Sequence, residues 1–121
     1  MPLNAARNYG YGILLSAFNR EVAANGYLTQ LGLHHGNVFN RFNLSSDLME
    51  PFRILVDRAV YEKMPKALDR EMKHRLINVL HSGIVIGGNS QTVLNGVGIY
   101  VRSLFEALCC EDPDQIRFWQ L

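Results

Sequence analysis

The sequence predicts a mainly α-helical single domain, residues 1–121, of about four to six helices with one small β-hairpin. Three observations carry this expectation. Apolar residues recur at the 3, 4, 7 spacing of amphipathic helices in segment after segment. Breaks fall at Asn25-Gly26 and Pro65, residue types that end helices. One pair of β-branched runs, Ile84-Val85-Ile86 and Thr92-Val93-Leu94, flanks the turn residues Gly87-Gly88-Asn89-Ser90.

Each element follows in order. Asn4 is a reasonable N-cap for a first helix whose stripe is Tyr11, Leu14, Leu15, Phe18 and Val22, stopped at Asn25-Gly26. Tyr27 to Leu33 reads as a short second helix, and the polar, aromatic stretch Gly36 to Asn43 as a loop. The next helix starts near Ser45 or Ser46, which read as caps. Pro51 is tolerable there because it lies near the first turn, where amide donors still lack partners. Leu48, Phe52, Leu55 and Ala59 form the buried stripe of this helix. Pro65 ends it. Lys66 to Leu80 reads as another helix with Leu68, Met72, Leu76 and Val79 or Leu80 inward. After the hairpin, Gly96 to Leu108 is the last long helix, with Val97, Tyr100, Val101, Leu104, Phe105 and Leu108 apolar.

Length and charge bound the function. At 121 residues the chain can bury one modest core. A net charge of +1 is not that of a free-standing nucleic-acid binder. The basic cluster Lys66, Arg70, Lys73, His74 and Arg75 is interrupted by Asp69 and Glu71 and reads as a solvated helix face, while Glu111-Asp112-Pro113-Asp114 would repel a phosphate backbone. No apolar run approaches the ~20 residues of a membrane span, and no signal segment opens the chain. The expectation is a cytoplasmic protein without a membrane partner. Cys109 and Cys110 are adjacent and make no disulfide framework. They read as buried or semi-exposed helix residues in a reducing compartment. His74 and His81 share a helix face but lie too far apart along it to chelate. Gly87-Gly88-Asn89-Ser90 lacks a Lys and opens no helix directly, so it reads as a turn, not a phosphate loop.

The chemistry concentrates between His34 and Arg53. Asp47 and Glu50 are three residues apart, which on a helix places both carboxylates on one face. His35, from the preceding segment, can close over them. One imidazole and two carboxylates suit a divalent ion such as Mn²⁺ and tolerate Mg²⁺. The same Asp-x-x-Glu spacing at a helix start is also a capping signature. Arg53, three after Glu50, either makes a local ion pair, orients Glu50 or meets a phosphate.

The wording of this segment resembles the CRISPR-associated adaptation integrase family, the enzymes that insert new spacers. Gly32-Leu33-His34-His35 matches a Gly-x-Leu-His-like element. Asn43-Leu44-Ser45-Ser46-Asp47-Leu48-Met49-Glu50-Pro51-Phe52-Arg53-Ile54 matches Ser-Leu-x-x-Asp-Leu-x-Glu-Pro-Phe-Arg-Pro, departing at Asn43 and Ile54. Asn4 to Leu15 is similar to the family's Asn-x-x-Leu-Asn-Tyr-Gly-Tyr helix, and Asn25 to Gly32 with Phe39 to Leu44 look most like its type II branch.

The resemblance implies metal-dependent transesterification or endonuclease chemistry on DNA. It implies catalytic and metal-ligating roles for His35, Asp47 and Glu50 with Mg²⁺ or Mn²⁺, and it places Arg41 where the family often has a basic residue; a DNA contact there is our hypothesis. Implied partners are spacer and repeat DNA, a small adaptation subunit and a second copy of the full-length protein. Family members are roughly twice this size or more. Their N-terminal β-sandwich and a Glu ligand in a Glu-Gly-x-x-Ala-like helix have no match here, and Glu21 fits no motif position. The expectation is a C-terminal fragment, inactive alone. Its alternative is a non-catalytic module that docks with adaptation partners.

Overall fold

A computed structural model describes residues 2–25 and 40–121, with side chains from Leu3 to Asn25 and from Leu44 onward. The predicted helix Tyr27–Leu33, His35 and the first half of the predicted loop, residues 36–39, lie outside the described residues. Helix α1 spans Pro2–Ala24, α2 Asn40–Met49, α3 Arg53–Lys63, α4 Arg70–Val79 and α5 Val93–Cys110. Strands β1 (Gly83–Ile86), β2 (Asn89–Thr92) and β3 (Trp119–Gln120) form an antiparallel sheet in the order β2-β1-β3. The mainly helical class is as the sequence predicts, with a third strand added.

Helix α1 packs against each of the other four described helices. Ala6, Leu14, Ala17, Phe18 and Val22 are its buried side. It begins at Pro2, so Asn4 lies inside it and not at the cap. A proline at the start is favourable, because that amide would be unpartnered in any case. Asn25 ends the helix by donating both its backbone N–H and its side-chain amide to the Glu21 carbonyl.

The acid-bearing segment differs from expectation. Helix α2 starts at Asn40, so Asn40 to Asn43 are helical and not loop, and Ser45 and Ser46 are interior positions and not caps. The helix ends at Met49. Glu50–Phe52 forms a single 3₁₀ turn with Pro51 in it, and α3 begins afresh at Arg53. Pro51 thus acts as a breaker: it cannot donate the hydrogen bond a continuous helix would need. Asp47 therefore lies in the last turn of α2, where the dipole disfavours a carboxylate, while Glu50 opens the 3₁₀ turn that leads into α3, so the two do not share one helix start.

Helix α3 buries Leu55, Val56, Ala59 and Val60 and ends in left-handed Met64 just before Pro65. Helix α4 starts later than predicted, because Asp69 caps it by accepting from the Met72 N–H at 2.8 Å. Met72, Leu76 and Val79 face inward; Leu68 and Leu80 are only partly buried.

The hairpin is real but shifted. Its turn is Gly87-Gly88, both at positive φ (61° and 80°), the conformation that suits a two-residue hairpin turn and favours glycine. The second strand is the polar Asn89–Thr92, and the apolar Val93-Leu94 open α5 instead. Thr92 caps that helix by accepting from the Asn95 N–H. Within α5, Leu108 is exposed and not part of the buried face. By length and composition α5 is apolar enough to cross a membrane, which a count of consecutive apolar residues misses. Here Val93, Val97, Tyr100, Val101 and Phe105 are buried in the common core.

Phe52 sits at the centre of that core with no exposed surface. Its ring centroid lies 5.3 Å from Phe18, 5.4 Å from Tyr100 and 6.0 Å from Trp119. The Trp119 indole N–H donates to the Pro51 carbonyl at 2.9 Å. The C-terminal strand is thereby tied to the turn that carries Glu50.

Candidate functional site

Asp47 and Glu50 are both exposed, on the last turn of α2 and the 3₁₀ turn that follows. Phe52, two residues after Glu50, is locked in the core, and Met49, one residue before, is buried. The backbone between the acids is thus fixed while their side chains face outward. Among the described residues these carboxylate oxygens accept no hydrogen bond, and Glu50 alone has an ion-pair partner, Arg53. Exposed oxygens of this kind fit a hard divalent cation. His35 lies outside the described residues, and among the described residues no group of three possible ligands is assembled.

Arg53 stands beside the acids in a particular way. Its Nε is 3.3 Å from Glu50 Oε2, yet that buried nitrogen makes no hydrogen bond among the described residues. The approach misses the N–H direction. Arg53 Nη2 makes a long contact of 3.4 Å with Ser46 Oγ. Its guanidinium lies 5.2 Å from the centroid of the Tyr11 ring, a cation–π distance.

Tyr11 is itself tied down. Its hydroxyl donates to Asp57 Oδ1, and Arg7 reaches both: Nη2 is 2.9 Å from the Tyr11 hydroxyl and Nε is 3.1 Å from Asp57 Oδ1. Burial, then the hydrogen bond to Asp57, pushes the Tyr11 phenol above its ordinary range. The Arg7 guanidinium is held in its charged form chiefly by its hydrogen bond to Tyr11. Gly10 makes the arrangement possible. A Cβ there would come within 2.5 Å of Val56 Cγ1, so only glycine lets α1 approach α3 closely enough for Tyr11 to meet Asp57.

This network was absent from the sequence reading. Arg7 and Tyr11 at helical i, i+4 spacing were a visible signal. Their partner Asp57, 46 residues beyond Tyr11, was not. Arg41 lies in the first turn of α2, with its side chain outside the described residues. Of the predicted basic cluster, Arg75 pairs with Glu62 at 2.8 Å and donates to the Ala59 carbonyl, so it supports the α3–α4 contact. A groove of about 830 Å³ runs between α3 and α4, with Arg58, Glu62, Glu71 and His74 on its rim. Its mixed charge gives it no preference for an anion.

Comparison with known proteins gives the family. The family model "CRISPR associated protein Cas1" matches residues 2–73. The "CRISPR-associated endonuclease Cas1" of Neisseria meningitidis serogroup C is 33% identical over 120 residues, 95% of this chain and 40% of the relative. The "CRISPR-associated endonuclease Cas1 1" of Pyrobaculum aerophilum is 39% identical over 83 residues, 63% of this chain and 28% of the relative. The chain thus spans less than half the length of the curated relatives it matches. With most of its length inside the family model and nearly all of it aligned to the Neisseria protein, this chain belongs to the CRISPR-associated Cas1 family.

Proposed function

We propose that the chain supplies His35, Asp47 and Glu50 as ligands of a divalent metal site for phosphodiester chemistry in CRISPR spacer acquisition. The observation that carries this reading is the pair of exposed carboxylates, without a hydrogen bond among the described residues, on a backbone pinned by buried Met49 and Phe52. The endonuclease names of the relatives support it.

Mg²⁺ or Mn²⁺, when bound, would polarise the scissile phosphate and stabilise charge that develops on it. Asp47 and Glu50 hold the ion with oxygen donors, and His35 adds nitrogen. Arg53 sets the local charge at Glu50 and meets the DNA backbone. Arg41 makes a second phosphate contact. The family resemblance adds a further Glu ligand that these 121 residues do not contain. On their own they bind the ion without cleaving DNA. The whole protein would join spacer to repeat as a homodimer with a small adaptation subunit, in the cytoplasm.

The test is a Mn²⁺ titration by calorimetry of this chain against Asp47→Ala. Saturable binding that is lost in the variant is the expected result. Binding that survives unchanged in the variant, or no binding in either protein, overturns the metal assignment. The latter result would favour a non-catalytic docking module.

A further inference from the structure

We infer that Tyr11 is a positioning residue: anchored by Asp57 and Arg7, its ring holds the Arg53 guanidinium beside Glu50 and keeps that carboxylate open to a divalent cation. The inference rests on the metal reading of Asp47 and Glu50.

Arg53 makes no hydrogen bond from Nε among the described residues. An arginine three residues after a glutamate on continuous helix is free to form a direct, hydrogen-bonded ion pair. Here Arg53 Nε comes within 3.3 Å of Glu50 Oε2 without a hydrogen bond, although the nitrogen is buried and has no other acceptor among the described residues. Something else sets the position of the guanidinium. Besides the long Nη2 contact with Ser46 Oγ at 3.4 Å, it meets the face of the Tyr11 ring, 5.2 Å from Cζ.

That ring cannot follow Arg53 toward Glu50. The Tyr11 hydroxyl is fastened to Asp57 on α3 and to Arg7 one helical turn back. The Arg7 guanidinium lies over the same ring at 5.6 Å and over Tyr61 at 6.0 Å. Two cations thus bear on one tyrosine whose hydroxyl contacts a carboxylate. The clamp spans α1 and α3 and stands beside the turn that carries Glu50. Freed of it, Arg53 has the length to close onto Glu50 and compete with a cation for the same oxygens.

A Mn²⁺ titration of the chain in four forms tests this: wild type, Tyr11→Leu, Arg53→Gln and the double variant. Tyr11→Leu is expected to weaken Mn²⁺ about threefold, the scale on which an exposed ion pair can compete. The same change in the Arg53→Gln background is expected to do nothing, because the competitor is gone. A merely structural role for Tyr11 would weaken binding equally in both backgrounds, and that result, or no loss in Tyr11→Leu, overturns the inference while leaving the metal site standing. If Mn²⁺ binding in wild type does not depend on Asp47, the metal reading fails and the inference falls with it. A metal-free readout runs beside the titration. The Arg53 Hε resonance should be ring-shifted upfield in wild type, stay nearly so in Tyr11→Phe, and return downfield in Tyr11→Leu. An Hε resonance that does not move in Tyr11→Leu removes the clamp from the explanation.

Discussion

At the residue scale, Tyr11 and Tyr100 carry a prediction about pH. Both phenols are raised above their ordinary value of 10.0, by burial foremost, with the hydrogen bond to Asp57 adding to Tyr11. A raised phenol favours the protonated form in the folded state. Its contribution to stability is therefore complete below the unfolded value and is lost as pH climbs through the folded one. Urea unfolding of wild type should show stability falling as pH rises above about 10. The Tyr11→Phe/Tyr100→Phe double variant should fall less over that range. Parallel pH profiles for the two proteins would mean that other groups govern the alkaline limit.

Among elements, the contact between α1 and α3 is the most demanding. A Cβ at Gly10 would lie 2.5 Å from Val56 Cγ1 and 3.2 Å from Leu76 Cδ2. Val56 is buried and stiff at its first side-chain torsion, so it cannot yield cheaply. Gly10→Ala should destabilise the fold by about 1–2 kcal/mol, the overpacking cost outweighing the better helix propensity of alanine. Gly12 is the control, with nothing within 4 Å of an added Cβ. Gly12→Ala should gain up to about 1 kcal/mol in the same helix. Denaturant midpoints measure both, and changes of the same sign would show that propensity and not packing decides. The same elements show what local pattern can disclose. Leu14, Phe18 and Val22 were legible as a core stripe because helical periodicity is a local property. Helical spacing also set Asp47 and Glu50 on one face of a single helix, which the break after Met49 divides. That break was not legible, because Pro51 fits a first turn as well as an interruption. Strand β3 had no local signal at all. Two residues, Trp119 and Gln120, become a strand only because Val85 and Ile86 offer them a ladder. The Tyr11–Asp57 contact is likewise a product of helix packing, invisible at any fixed spacing.

For the whole molecule the governing quantity is charge. The net charge is +1, and Arg7, Arg53, Arg58 and Arg75 each stand within ion-pair distance of an acid among the described residues. A general electrostatic pull on DNA is therefore small, and affinity must come from a few local phosphate contacts. Each such contact contributes a slope of about −0.9 to log affinity against log salt. Anisotropy titrations of the chain with a branched DNA duplex over a salt series should give weak binding and a shallow slope. Arg41→Ala should flatten that slope by about one contact while leaving Mn²⁺ affinity unchanged. Arg53→Ala should alter both, because its guanidinium stands at 3.3 Å from Glu50 as well as facing the backbone in the proposed complex. The contrast between the two arginines separates a contact made only to phosphate from one shared with the metal site. Equal losses of DNA and Mn²⁺ affinity in Arg41→Ala would place that residue with the ligands and remove it from the DNA path.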